Sequence, residues 1–473
     1  MNNEIILVPG KPSDGVPILD SDAMPPRDVV LNDLGGNSTV IPERMKMYNE
    51  VLADGITDEW FEYVPAAYDG TKKVPLVISC HGGGQHGWGQ CVATAWYCVA
   101  ERENLIVVYP SAGSNKAWLV NRESPEIDKE GNHDLHFFLA LIEKMKSKYT
   151  IDASRIFLCG MSMGDLMTMQ FSRAYGNLLA GAANAEGPSN YKILFNEDGS
   201  ITQHVCAVPV FQSRGELDNM SVYPGYGRSE INTANRKYWQ QINGCDSIPA
   251  LNIINENNFA FFHGKEADFV YRDIKDRNHG QTFDDAEYIW QLFFSGLSRN
   301  EDGSITSTKT LDATRGDESA IAFAAGSKKV YKAQKIVNIE TAAYYKRDEN
   351  HNFITREITD VFNRFYVPIS ALPELFNISV EFSHEGRRAV LTLEDGRRLQ
   401  IAAGIIAVTI DNRVYCMTRQ AEIQNDILCL PIKWLAENVL GLFVTDCNDA
   451  VYISEHRGAM TPDMATIIKE ILL

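Results

Sequence analysis

Three absences narrow what this chain can be. No apolar run approaches the ~20 residues of a membrane-crossing helix. The opening stretch MNNEIILVPGKPSDG has no basic patch followed by an apolar core. Neither a membrane partner nor a signal peptide is therefore expected. Positive charge is scarce: 44 Lys and Arg stand against 62 Asp and Glu, a formal net charge of -18. Nucleic-acid backbones attract basic surfaces, so no nucleic-acid partner is expected either. CxxC pairs are missing as well. The nine cysteines are scattered from Cys80 to Cys447, and Cys80 and Cys159 sit inside apolar runs. That pattern reads as buried free thiols in a reducing setting, with no disulfide framework, no zinc site and no cofactor. The expected location is cytoplasmic, or secreted or cell-surface if a leader has been trimmed.

What is present is a long chain, 473 residues, too many for one ordinary core. Residues 1–45 are rich in Pro, Gly, Asp and Asn and read as an irregular arm. Six short apolar runs follow: VPLVISC (Val74–Cys80), LIVVYP (Leu105–Pro110), RIFLCG (Arg155–Gly160), LLAGAANAEG (Leu178–Gly187), VPVFQS (Val208–Ser213) and DFVYRDI (Asp268–Ile274). Continuous apolar runs suit parallel strands covered on both faces. Helical patterns alternate with them. In HDLHFFLALIEKMKSKY, Leu135, Phe138, Leu139, Ile142 and Met145 recur at helical spacing. The expectation over 46–300 is a doubly wound, mostly parallel α/β sheet.

Residues 301–318 are polar and turn-rich and read as a linker. Beyond them, FYVPISALPELFNISVEF is echoed by LCLPIKWLAENVLGLFV, with Pro368 and Pro431 heading the copies 63 residues apart. Each copy carries Pro-Ile, a helical stretch and two strands. This internal repeat predicts a smaller β-rich α+β domain over 319–457, closed by a helix in 458–473.

The chemistry centres on GMSMG, where Ser162 stands between Gly160 and Gly164. A serine hydroxyl is a weak nucleophile until a base, an acid behind the base and oxyanion donors surround it. A G-x-S-x-G turn between strand and helix is sharp enough to lift the hydroxyl above the sheet edge. The glycine-rich loop CHGGGQHG follows the first strand and can aim backbone amides into a cleft. The amides of Gly83 and Met163 are the candidate oxyanion donors. Asp218 and His279 follow two later strand ends in the chain order that this turn calls for. Asp218 is the candidate acid and His279 the candidate base, with Glu216 and His263 as rivals. His81 reads as a shaper of the oxyanion loop.

Residues 62–297 resemble the polyhydroxybutyrate-depolymerase-like and feruloyl-esterase-like branch of the α/β-hydrolases. PLVISCHGGGQ, LIVVYPSAG, RIFLCGMSMG, YWQQINGC and NHGQTF fall in that branch's order and spacing. The resemblance implies ester hydrolysis through an acyl-enzyme, with Ser162, Asp218 and His279 as the triad. It implies a small-molecule or sugar-linked ester of feruloyl, acetyl or hydroxyalkanoate type. Asp165 stands where the branch often has glycine. It reads either as a pocket residue that selects the substrate or as a solvated residue at the helix start. Trp118 reads as a wall of the acyl pocket or as a core residue. The repeats resemble the stalk-like domain named after the N-terminal domain of copper amine oxidases, which implies scaffolding, docking or a homodimer, with no metal. Two other readings stay open: a peptidase or amidase on the same triad, and a binding protein on a hydrolase scaffold.

Overall fold

The computed structural model describes residues 31–32, 38–39, 41–113, 115–219, 223–308 and 316–473. The arm expected over 1–45 lies mostly outside the described residues, as does part of the linker expected over 301–318. The chain divides into two compact units, Met1–Asp246 with Phe261–Leu311, and Ser247–Ala260 with Asp312–Leu473.

The first unit is a twisted, mostly parallel sheet clad in helices. Its strands are β1 (Met45–Ala53), β2 (Ile56–Tyr63), β3 (Val74–Cys80), β4 (Ile106–Pro110), β5 (Ile151–Met161), β6 (Gly181–Ala185), β7 (Val210–Gly215) and β8 (Phe269–Ile274). They lie side by side in the order β1-β2-β4-β3-β5-β6-β7-β8. The pairings from β4 to β8 are parallel, and β1 and β2 are antiparallel additions at one edge. Every residue of β3, β4, β6, β7 and β8 is buried. This is why their sequences run apolar without alternation: helices cover both faces.

The helices are α1 (Gly87–Ala93), α2 (Trp96–Glu103), α3 (His133–Lys148), α4 (Met163–Tyr175), α5 (Arg228–Asn243) and α6 (Asp285–Leu292). At the start of α3 the Asn132 side chain accepts from the Leu135 N–H, and Lys146 and Lys148 lie in the last turn. Its buried face is Leu135, Phe137, Phe138, Leu141, Ile142 and Met145. Leu139, expected on that face, is only partly buried. Phe137 and Leu141 widen the stripe in its place, because the helix lies flat on the sheet and needs a broad apolar face. Each fully buried side chain of this kind contributes about 1.5–3 kcal/mol.

The second unit is antiparallel and β-rich. Its elements are β9 (Ile321–Ala324), β10 (Lys329–Lys332), β11 (Lys335–Asn338), β12 (Tyr344–His351), β13 (Ile358–Pro368), α7 (Leu372–Phe376), β14 (Ser379–Ser383), β15 (Arg388–Thr392), β16 (Arg398–Ala402), β17 (Ala407–Ile410), β18 (Arg413–Cys416), β19 (Glu422–Gln424), β20 (Ile427–Pro431), α8 (Ile432–Leu435), β21 (Phe443–Cys447), β22 (Ala450–Ser454) and α9 (Pro462–Leu472). They form three sheets, β11-β10-β9-β22-β21, β12-β13-β20-β19 and β14-β15-β16-β17-β18.

The repeat is visible in the register. In both copies a strand ends at the proline, a short helix follows, and two paired strands come next. The two proline-ended strands pair with each other, Tyr366 opposite Pro431 and Pro368 opposite Cys429. Shifting either residue pair by 63 positions, forward in one copy and back in the other, gives the other pair. The following hairpins obey the same offset, with Val380 opposite Leu391 and Phe443 opposite Ser454. Proline has no N–H, so it ends the ladder and opens the helix at the same point in each copy.

Candidate active site

Between β5 and α4 the backbone reverses within a few residues. Ser162 adopts φ 54° and ψ -115°, a conformation costly for a residue with a side chain. The flanking glycines are required by close approach. A Cβ on Gly160 would lie 2.3 Å from the Gly164 carbonyl oxygen, and one on Gly164 would lie 2.4 Å from the Cys80 carbonyl oxygen. A Cβ on Gly187 would meet the Ser162 carbonyl oxygen at 2.0 Å. Two further backbone segments, at Cys80 and Gly187, therefore press against the turn, and the Ser162 N–H donates to the Ala185 carbonyl across 2.8 Å. Ser162 itself is half-buried, at the carboxyl end of the parallel strands.

His279 reaches this serine from the loop after β8, with Nε2 3.0 Å from Ser162 Oγ. Asp218 lies in the loop after β7, with Oδ1 3.1 Å from His279 Nδ1. The spacing is that of a contact pair, although the N–H is not aligned for a straight bond. Such bonds commonly tighten when substrate is present. The two loops are tied together: the Glu216 N–H donates to the Ile274 carbonyl, and the Leu217 N–H to that of Arg277. The backbone thus carries Asp218 and His279 toward each other. Asp218 is 2% exposed. This arrangement suits a tautomer with the proton on Nδ1 and Nε2 open to accept from serine.

The rivals are occupied elsewhere. Glu216 pairs with Lys275 Nζ at 2.6 Å and accepts from the Asp276 N–H, bracing its own loop. The His263 ring is 71% exposed and meets Asp268.

The glycine loop lies over the turn. Ideal Cβ positions on Gly82 and Gly83 would fall 3.5 Å from Ser162 Cβ and 2.8 Å from Met163 Sδ, respectively. Gly83 is exposed. His81 is wholly buried. Its Nε2 accepts from the Ala112 N–H at 2.9 Å, and its Nδ1 faces the Gly82 carbonyl at 2.6 Å. That pair of contacts requires a neutral ring, and burial holds its pKa down to about 4. Trp118 packs against His81 and Phe138 and donates from Nε1 to the His81 carbonyl at 2.8 Å. It is 3% exposed, a core residue that braces the loop. This favours the core reading of Trp118 over the pocket wall and fits His81 as a shaper of the loop.

Asp165 corrects a further expectation. It is neither solvated nor open to a cleft, being 0% exposed. Its Oδ2 accepts from the Gly187 N–H at 2.7 Å and from Arg214 Nη1 at 3.0 Å. Burial raises its pKa to about 6, and the Arg214 charge opposes that rise. The sequence reading passed over Arg214 and Glu186. Both are buried at strand ends beside the turn. Charged residues directly after an apolar run at the carboxyl end of a parallel strand are the signal that could have found them. A small cleft bounded by Arg122, Leu166, Gln170, Asn190 and Tyr223 reaches α4 at Leu166, and Ser162 and His279 are not part of its lining. Leu166 lies one helical turn beyond Ser162, donating its N–H to the Ser162 carbonyl. The donor atoms of Glu186, Asp218 and His279 lie within 4.8 Å of one another.

The chain is similar to several known proteins. Residues 358–450, which span both repeat copies, match the copper amine oxidase N-terminal domain. Over 191 residues the chain is 31% identical to a bifunctional acetylxylan esterase/xylanase of Neocallimastix patriciarum, covering 40% of this chain and 26% of that protein. It is 28% identical over 131 residues to a poly(3-hydroxyalkanoate) depolymerase C of Paucimonas lemoignei, covering 27% of this chain and 31% of the relative. It is also 28% identical over 209 residues to a feruloyl esterase B of Piromyces equi, covering 41% of this chain and 37% of the relative. The matched part thus spans between a quarter and two fifths of these relatives. The chain has esterase and depolymerase relatives, an α/β-hydrolase-like first unit, and a copper-amine-oxidase N-terminal-like segment near its C-terminus.

Proposed function

We propose that this chain is a serine carboxylesterase. The observation that carries the reading is the Ser162–His279 contact of 3.0 Å on a strained turn, with Asp218 behind the ring. In this reading His279 Nε2 takes the proton of Ser162 Oγ as the oxygen attacks the ester carbonyl. The Gly83 and Met163 amides receive the oxyanion. The tetrahedral intermediate collapses, the alcohol leaves with the proton from His279, and an acyl-serine remains. Water, deprotonated by the same ring, then releases the acid and restores the serine. Asp218 holds the tautomer and offsets the imidazolium charge. All of this machinery lies on strand ends and the loops they anchor.

The acyl groups that fit best are feruloyl, acetyl or hydroxyalkanoate, as the relatives' names suggest. A sugar-linked alcohol is the further expectation, because one relative's name includes acetylxylan. A panel of p-nitrophenyl acetate, p-nitrophenyl butyrate, methyl ferulate, acetylated xylan oligomer and a p-nitroanilide tests the reading. Turnover of esters with no anilide cleavage is expected. Anilide cleavage without ester turnover would replace the esterase with an amidase, and no turnover at all would favour a binding protein.

A further inference from the structure

Four carboxyl groups are buried around the Ser162 turn: Asp165, Glu186, Asp218 and Asp273 are 0%, 2%, 2% and 0% exposed. Carboxylates so placed need partners. Asp165 has Arg214 at 3.0 Å, and Asp273 has Arg228 at 3.0 Å. A carboxylate oxygen of Glu186, one of Asp218 and a ring nitrogen of His279 all lie within 4.8 Å of one another. Two carboxyl groups this close and this buried are favoured when one of them keeps a proton.

Which one keeps it follows from the surroundings. Asp218 faces the His279 ring, which becomes cationic during turnover and needs an anion. Glu186 is buried to the same degree, at 2% exposed. Burial comes first, then Asp218 beside it, and together they hold the Glu186 proton far above the usual carboxylate range. Arg214 and Arg228 pull the other way and do not overcome burial.

Two further observations indicate that the position is built for this side chain. Glu186 directly follows β6 with φ 58°, an unfavourable backbone for glutamate. A glycine would accept that conformation without strain, yet glutamate stands there. Its carboxyl also fills space that Gly215 leaves clear, since a Cβ on Gly215 would lie 2.9 Å from Glu186 Oε1.

We propose that Glu186 is a positioning residue: its hydrogen bond to Asp218 fixes the carboxylate that orients His279 toward Ser162. The inference rests on the triad reading given above. Glu186 keeps its proton throughout turnover, and the proton that moves travels only between Ser162, His279 and the leaving alcohol. Without Glu186, Asp218 swings or draws in water, and the ring loses its fixed aim. That loss falls on kcat, because substrate binding does not use this contact.

Three variants test the proposal: Glu186→Gln keeps a neutral donor, Glu186→Met keeps the volume without a donor, and Ser162→Ala removes the nucleophile. Steady-state kinetics on p-nitrophenyl acetate, melting temperature and the pH profile of kcat/KM are measured for each. Misplacing a catalytic group by about 1 Å costs on the order of 100-fold. The Met variant should therefore lose roughly 10- to 100-fold in kcat with KM within about twofold, while the Gln variant stays within about threefold of wild type. Equal activity of the Met variant and wild type would overturn the proposal, as would a Gln variant no better than the Met variant. If the Met variant does not fold, the Gln profile decides: an unmoved acid limb supports the positioning role, and a limb moved by about one unit or more contradicts it. Full activity in Ser162→Ala would instead sink the triad reading, whatever the Glu186 variants do.

Discussion

The two units bury different things. Around Ser162 the first unit encloses Asp165, Glu186, Arg214, Asp218 and Asp273, each almost without solvent exposure. Among the described residues of the second unit, the buried charged side chains are Asp317 and Asp463, and its central cluster is wholly apolar, mostly Ile, Leu, Val and Ala. Removing a charge from water costs several kcal/mol unless partners offset it. A fold that needs only stability does as the second unit does and leaves charge outside. The first unit accepts that cost around the proposed nucleophile, base and acid, and also elsewhere, as at Glu62, Arg173, Arg272 and Asp285. Buried charge therefore separates the unit that carries the proposed chemistry from the apolar one.

The comparison can be broken most forcefully at the base. Replacing His279 with Ala should lower kcat by roughly 10⁴-fold or more, by analogy with triad knock-outs in other serine hydrolases. The melting temperature should barely move, since the ring is partly exposed. A melting temperature that falls while activity persists would contradict the assignment. The buried ion pair comes next. Arg214→Met strands Asp165 and should destabilise the protein by about 3–5 kcal/mol. Urea denaturation should find the loss greater at pH 8 than at pH 5, because Asp165 takes up a proton on acidification and no longer needs a partner. Adding Asp165→Asn should restore part of the loss.

In the second unit, Leu391→Ala empties apolar volume and should cost about 2–5 kcal/mol with little dependence on pH. A strong pH dependence there would blur the contrast. His81 sharpens it from the other side. Its folded pKa, about 4, lies below the ordinary histidine value of 6.5. The unfolded ring binds the proton first, so this residue's contribution is fully present above about pH 6.5 and is lost as pH falls toward 4. The loss reaches roughly 3 kcal/mol, and a His81→Gln variant should not show it. At the smallest end, Phe353→Ser changes a residue 85% exposed and should shift stability by under about 0.5 kcal/mol.

Much of this arrangement can be read from the chain before any coordinates. Apolar runs predict the parallel strands because both of their faces are covered. The serine between two glycines is legible because backbone crowding at 2.3 and 2.4 Å leaves room for no other residue. The proline-headed copies are legible because a residue without an N–H ends a strand in the same way twice. The direction of a side chain is harder to read. Trp118 and His81 stand beside a glycine loop in sequence, and nothing local tells whether their rings turn toward a cleft or into the core. Asp165 at a helix start has the composition of a solvated residue, and its buried partners, the Gly187 N–H and Arg214, stand 22 and 49 positions later. Glu186 and Arg214 each follow an apolar run by a residue or so. Their meaning arises from β6 and β7 lying side by side, a long-range fact that no local window contains.

The central claim is that Ser162 becomes acylated by an ester. Intact-protein mass spectrometry after rapid quenching of the wild type with a p-nitrophenyl ester tests it most directly, followed by peptide mapping of the adduct. The account predicts one acyl group per chain, released as turnover ends, located on the peptide holding Ser162 and absent from Ser162→Ala. Ester turnover with no adduct on that peptide, or an adduct that survives in Ser162→Ala, would contradict it.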